Sequence, residues 1–336
     1  MWRSGIKWMF LIIGTMIGAG YASGRELWQF FGHESGLAIL LFTCLFIISV
    51  AIIMKISAQF QTSNYYVILE KLTGHKIAKF YDALIFFYLI STTIIMVAGS
   101  GATFEAFRLS KWIGILFIII FIILAFIKGI NSVVTFNIVI LPLLIAGLLT
   151  ILIMYSMDEH LSLKLDLHQQ SNWFAAFPFT ALNILSILAV LGAIGDKIKS
   201  NSEIIIASVG SGLILGITSF LYNNSLIQIS EMILLYEIPL FAILKNYPDY
   251  TYLVMTILLW FAIFTTAVSS VLGIVMRVKE FLNFSMWKLA LIIITPIIPL
   301  TQIGFSTLIA FLYPIYGIVN LYLLGAIILF PFYRKV

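Results

Sequence analysis

Apolar residues run almost unbroken through ten stretches of the 336-residue chain, at 8–30, 36–58, 80–104, 112–127, 133–155, 173–195, 204–230, 250–276, 287–302 and 305–332. A bilayer core about 30 Å thick is crossed by roughly 20 helical residues, so these lengths suit one crossing each. In hydrocarbon every backbone N–H and C=O must be paired within the segment, which leaves helices or closed barrels. Barrel strands are short and alternate apolar with polar residues, and these runs do neither. The pattern predicts an all-α integral membrane protein with ten transmembrane helices. Composition agrees: 62% of residues are hydrophobic and 10% charged, against about 25% charged in a typical soluble domain. An ordinary soluble enzyme is excluded.

The formal charge is +5. In a soluble protein a basic excess points to nucleic acid. Here it points to Lys and Arg that orient the helices, and no nucleic-acid partner is expected. Counted by loop parity, 14 of the 19 Lys and Arg fall on one side and five on the other, which puts both termini in the cytoplasm. Arg3 and Lys7 before the first apolar run have the look of a signal peptide, but further spans follow and glycines interrupt the run. The single cysteine, Cys44, sits within an apolar run and can form neither an internal disulfide nor a cysteine metal cluster.

Segments 1–5 and 6–10 begin at matching places. Pairing them in order gives offsets of about 165 to 175 residues, close to half the chain. Five is odd, so a second copy of five spans enters the membrane from the opposite side. The expectation is two inverted five-helix repeats, 1–156 and 173–336, joined by an extracytoplasmic linker at 157–172. Chance agreement among ten similar helices is the plainer alternative. The longer polar loops after segments 2 and 7 coincide as well.

Segment 1 contains GTMIGAGYASG, with Gly14, Gly18, Gly20 and Gly24 close together. Glycine lowers the cost of leaving helical geometry, and unwound backbone at membrane depth can line a cavity whose amides hold anions and whose carbonyls hold cations. The same spacing also fits small-xxx-small helix packing. Gly210, Gly212 and Gly216 of segment 7 read as packing. Segment 6, the repeat mate of segment 1, carries Pro178, Thr180, Asn183 and Ser186 ahead of Gly192 and Gly195, and a matching interruption is expected there. Asn183 either bonds a neighbouring carbonyl or faces a solute. In segment 8, Thr265, Thr266, Ser269 and Ser270 cluster. Hydroxyls in helices often bond back to the preceding turn, but neutral oxygens without a carboxylate also suit a weakly held monovalent cation.

At GTMIGAGYASGRELWQFFG the chain resembles the YkvI-like family of bacterial membrane proteins, described as amino-acid permeases among the LeuT-fold transporters. That resemblance implies helices 1 and 6 unwound midway, with a solute carboxylate on the amides of Gly18, Ala19 and Gly20. In sodium-coupled members two carbonyls of helix 1 and oxygens of helix 8 hold one Na⁺. The matching positions are Gly14 and Ile17, with Thr266, Ser269 and Ser270. Tyr21 stands where a second Na⁺ site would need Asn. Segment 5 lacks the Lys that replaces Na⁺ in some proton-coupled relatives.

The expectation is therefore a multi-pass transporter of the cell membrane that carries a small amino acid or related carboxylate with Na⁺, with no resident cofactor and no obligate protein partner. Asn183 and Ser100 are further candidates to line the solute site. Proton coupling, with Glu105, Asp82 or Asp196 as carrier, is the alternative. A membrane sensor that keeps the fold is another. An embedded enzyme is disfavoured, because the four histidines all fall in loops, and so is a channel, because no filter loop repeats. Arg25 and Glu26 are expected in the interface, or at an outer gate with Glu105 or Glu231. Residues 236–249 are expected to form a short surface helix over the outer vestibule.

Overall fold

Ten apolar segments without strand-forming alternation must satisfy their own backbones, and the chain does so as helices. The structure is a computed structural model that describes residues 2–128, 131–161, 170–279 and 281–333, with backbone only over 131–139. Among the described residues there is no strand, and nine helical stretches are long and apolar enough to cross a membrane. In chain order the helices are α1 (Trp2–Met16), α2 (Ala19–Ala22), α3 (Arg25–Phe30), α4 (Gly36–Gln59), α5 (Tyr65–Thr73), α6 (His75–Glu105), α7 (Lys111–Lys128), α8 (Asn131–Asp158), α9 (Ala176–Gly192), α10 (Asn201–Gln228), α11 (Leu240–Leu244), α12 (Asp249–Val278), α13 (Met286–Ile294), α14 (Phe305–Val319) and α15 (Leu321–Tyr333). The first apolar segment falls outside the nine because it is broken into α1, α2 and α3.

The ninth segment begins as α13 and continues as a 3₁₀ stretch, Thr295–Ile303. Pro296 and Pro299 remove amides the α-helix would need. The tenth divides at Asn320 into α14 and α15. Two departures from the sequence reading matter. Segment 6 is not interrupted: α9 runs unbroken through Thr180, Asn183 and Ser186. Pro178 lies in its first turn, where a missing N–H costs nothing. Thr180 and Asn183 donate back to the carbonyls of Ala176 (2.6 Å) and Phe179 (2.9 Å). The second departure is α11. It is buried rather than superficial, and the Leu240 amide donates to the Ser23 carbonyl (3.0 Å) at the end of α2.

The core is a set of helix pairs: α1 against α10, α6 against α12 and α7, and α4 against α9 and α10. Glycines set the close approaches. A Cβ on Gly216 would stand 2.2 Å from Thr43 Oγ1, and one on Gly212 would stand 2.2 Å from Ile47 Cγ1, so the glycines of α10 serve packing. At the α6–α7 crossing a Cβ on Gly114 would lie 2.4 Å from the Ser100 carbonyl oxygen. There Ser100 Oγ donates to the Gly114 carbonyl (2.8 Å) and accepts from Trp260 Nε1 (2.8 Å), pinning α6 to α7 and α12. Trp260 stacks parallel on Phe264 (5.6 Å) and packs against Phe117 (5.1 Å).

Apolar side chains also cover the outside. Ile113, Leu116, Ile120, Leu124 and Ile127 form an exposed stripe on α7, while Ile115, Ile118, Ile122 and Phe126 face inward. An exposed apolar face of this extent suits lipid. Cys44 is exposed as well. Residues 162–169, with His168 and most of the expected linker, lie outside the described residues. At the linker's end Gln170 Oε1 accepts the Leu37 amide (2.6 Å).

Gly114→Ala should lower stability by about 1–3 kcal/mol, the usual cost of overpacking, because the added carbon meets backbone. Gly325→Ala, whose Cβ would meet nothing within 4 Å, should be neutral. Thermal melting of the purified protein in detergent checks both.

Candidate functional site

The helix of segment 1 stops where its hydrogen-bond ladder stops. Ile17 N–H still reaches the Ile13 carbonyl (2.8 Å), but Gly18 N–H turns to the Met16 carbonyl (2.8 Å), and the next ladder bond is Ala22 to Gly18 (2.9 Å). The amides of Ala19, Gly20 and Tyr21 precede that bond and form the open first turn of α2. A second interruption follows at Ser23–Gly24, where Gly24 takes φ +79°, a conformation costly for any residue with a Cβ.

The two interruptions are treated differently. The second is covered. Ser23 Oγ donates to the Gly20 carbonyl (2.9 Å), Tyr222 OH to the Ala22 carbonyl (3.0 Å), and the Leu240 amide to the Ser23 carbonyl. Tyr21 OH donates to the Leu215 carbonyl (3.1 Å) and shares a hydrogen bond with Ser219 Oγ (2.9 Å). The first interruption has no such cover from neighbouring backbone. A Cβ on Gly18 would meet nothing nearer than Thr266 of α12, at 3.9 Å, and Gly18 and Thr266 are both half-buried. By contrast a Cβ on Gly14 would strike Leu141 of α8 at 2.4 Å. Of the four glycines in segment 1, Gly18 is the one at which a Cβ would find only ordinary van der Waals contact.

Beside the interruption sits Glu26, 5% exposed. It is neither interfacial nor paired with Glu105 or Glu231. Asn183 Nδ2 donates to its Oε1 (3.2 Å), and Oε2 lies 2.9 Å from where a Gly20 Cβ would stand, a position itself 3.1 Å from the ring of Tyr313. Arg25 turns away and donates to the Ile233 carbonyl (3.4 Å). Below Asn183, Ser186 Oγ donates to Tyr88 OH (3.1 Å), Tyr88 meets Tyr316 edge to face (5.2 Å), and Ser91 Oγ shares a hydrogen bond with Tyr316 OH (2.8 Å). The signal for Glu26 was available: an acid inside an apolar segment marks a functional position by default. Its place near the end of its run is why the sequence reads it as interfacial or as part of an outer gate.

The remaining expected positions divide. Gly20 and Asn183 meet at Glu26, Gly18 borders Thr266, and Ala19 is buried between the two glycines. Ser100 is fully buried at the α6–α7–α12 junction, with its hydroxyl engaged there. In α12, Thr266 borders Gly18 and Ser270 is buried. Ser269 is exposed and donates to the Thr265 carbonyl (2.9 Å). Ile17 is buried beside the interruption. Among the described residues no group of three or more His, Cys, Asp and Glu could hold a metal ion. At the N-terminal end of α6, Asp82 pairs with Arg277 of α12 and accepts from Tyr65 OH (2.8 Å).

An apolar helical body with a broken first helix and a polar centre is the architecture of multi-pass membrane transporters. Solved structures carry the same fold. Three crystal structures of the Eremococcus coleocola manganese transporter match with TM-scores of 0.57 to 0.59 at 13 to 14% identity, covering 95% of this chain and 78% of theirs. Residues 4–163 match the family described as Spore germination protein. The chain is 48% identical over 335 residues to Bacillus subtilis YyaD, covering 100% of this chain and 99% of that one. It is 27% identical over 329 residues to the B. subtilis membrane protein YkvI, covering 95% and 94%. This chain belongs to the YkvI-like family.

Hydrogen exchange should separate the two kinds of backbone. The amides of Ala19, Gly20 and Tyr21 should exchange faster than those of Ile12 and Ile13 in α1. Equal protection, read by mass spectrometry of the protein in detergent, would mean that the first helix is continuous.

Proposed function

We propose that the protein is a secondary transporter that carries a small amino acid or related carboxylate across the cell membrane by alternating access. The carrying observation is the open interruption at Ile17–Gly18, where a Gly18 Cβ would make only ordinary contact with Thr266, with Glu26 and Asn183 at the neighbouring Gly20. Amides freed in the first turn of α2 suit the solute's carboxylate, because they present N–H groups where no carbonyl claims them. Gly18, Ala19 and Gly20 are the residues assigned to it, with Asn183 at its edge.

The inverted-repeat plan, with 1–156 and 173–336 as its halves, finds support in the helix contacts. Pairing segment 1 with 6 and 2 with 7 exchanges the α1–α10 contact with α4–α9 and returns α4–α10 and α6–α12 to themselves. It also carries α6–α7 onto α12–α13, and α8–α12 onto α14–α6. Counting the broken first segment gives ten crossings and both termini on one side, which the Lys and Arg distribution assigns to the cytoplasm.

Na⁺ remains a proposed coupling ion, held by the carbonyls of Gly14 and Ile17 with Thr266, Ser269 and Ser270. The support for it is the contact between Thr266 and Gly18. The buried Ser270 is the more informative position to test, since Ser269 already spends its hydroxyl on the Thr265 carbonyl.

Purified protein in liposomes, loaded with unlabelled glycine, L-alanine or L-serine, should exchange it for the labelled solute outside. Gly18→Leu should fold, since its Cβ would meet nothing nearer than 3.9 Å, yet abolish exchange by filling the place where solute meets backbone. Normal exchange by that variant would refute this placement of the site. Ser270→Ala should raise the Na⁺ concentration for half-maximal uptake, roughly tenfold per 1.4 kcal/mol of lost binding. Uptake indifferent to Na⁺ in the wild type would discard the ion.

A further inference from the structure

The carboxyl of Glu26 stands beside Gly20, one of the residues to which the solute's carboxylate is assigned. Its Oε2 is 2.9 Å from the position of a Gly20 Cβ, and its Oε1 accepts from Asn183. Besides Asn183 of α9, the side chains that face it are phenols rather than cations: Tyr21 from α2, Tyr88 from α6 and Tyr313 from α14. Arg25, on its own helix, is directed to the Ile233 carbonyl in the field of Glu237. Among the described residues no ion pair reaches Glu26. A sealed carboxylate without a cation is costly in a membrane protein, and a second carboxylate arriving beside it is repelled. The two charges cannot share this space unless one is cancelled.

We propose that Glu26 takes up one proton each time a carboxylate-bearing solute docks at Gly18–Gly20, which makes it the coupling group of a proton-coupled carrier. The proton leaves water on the loading side, forms an O–H bond on a Glu26 carboxyl oxygen, and returns to water on the other side when the solute leaves. This inference rests on the transporter reading above and is independent of the Na⁺ site. Polar groups lead away from Glu26. Asn183 and Ser186 lie one turn apart on the same face of α9. Ser186 donates to Tyr88 OH, and Tyr88 meets by its ring edge Tyr316, whose hydroxyl is bonded to Ser91. Tyr88, Ser91 and Ser186 are half-buried, whereas Glu26 is closed off.

The test uses the full-length protein in liposomes, with and without Na⁺, and labelled glycine, L-alanine, L-serine and propionate, each read over protein-free vesicles because propionic acid crosses a bilayer unaided. The wild type should exchange at least one of these across equal pH and accumulate it when the outside is made acid. Over the pH range in which docking takes up the proton, its apparent affinity should fall about tenfold per pH unit, the slope of one linked proton. Glu26→Gln should lose both the pH dependence and the accumulation, and Glu26→Asp should regain part of each. Glu105→Gln, at an exposed position, should keep both. A pH dye inside the wild-type vesicles gives a reading that needs no variant: solute entry should acidify the lumen.

Exchange that proceeds while the pH gradient drives no accumulation and the lumen stays neutral would overturn the proton assignment and leave the transporter reading intact. So would a Glu26→Gln protein that loses the three amino acids but still carries propionate, since Glu26 would then be the counter-ion of their ammonium group. Absence of wild-type exchange for all four solutes would overturn the transporter reading, and this inference with it.

Discussion

A polypeptide that leaves helical geometry inside an apolar layer must find partners for the amides and carbonyls it frees. That constraint organises the centre of this molecule. At Ser23–Gly24 it is met by neighbours brought from far along the chain: a tyrosine of α10 covers the Ala22 carbonyl, and the first amide of the buried α11 covers that of Ser23. At Ile17–Gly18 it is left for something else to meet. The open interruption is held in place by the closed one, because Tyr21 and Tyr222 tie the intervening α2 to α10.

The same economy explains why hydroxyls are a poor guide in such a chain. Thr15, Thr43, Thr92, Thr93, Thr180 and Ser225 each bond to the carbonyl one turn earlier. Their polarity is spent inside their own helix, as it is at Ser269. A carboxyl cannot be disposed of in this way. An ionised Glu26 would hold a charge that no backbone carbonyl can answer, so its burial against Asn183 and tyrosines is the more informative feature of the site.

Kinship and fold reach different distances here. YyaD matches nearly half the residues along the whole chain, whereas the manganese transporter structures share the fold with about one residue in seven. A succession of apolar segments with small residues at the crossings can be kept while most identities change. The particular oxygens and nitrogens at the interruption are not kept by those requirements, so shared fold carries no substrate with it.

Crossing segments, their approximate ends and the break in the first of them were legible in the sequence, because each depends on local quantities: run length, glycine density, the positions of proline. Packing by the α10 glycines was legible for the same reason. The continuity of α9 was not, since Pro178 and Asn183 look disruptive until their places in the first turn and under the Phe179 carbonyl are known. Nor was the direction of any helix. A segment as uniformly apolar as α7 has no polar face to read, and its lipid-facing stripe of Ile113, Leu116 and Ile120 emerges only against its neighbours. Tertiary structure also moved Glu26 from an expected interfacial position to the centre, since its burial depends on α2, α9 and α14 converging on it. Such convergence joins residues up to about 290 positions apart along the chain, a separation at which local pattern carries no signal.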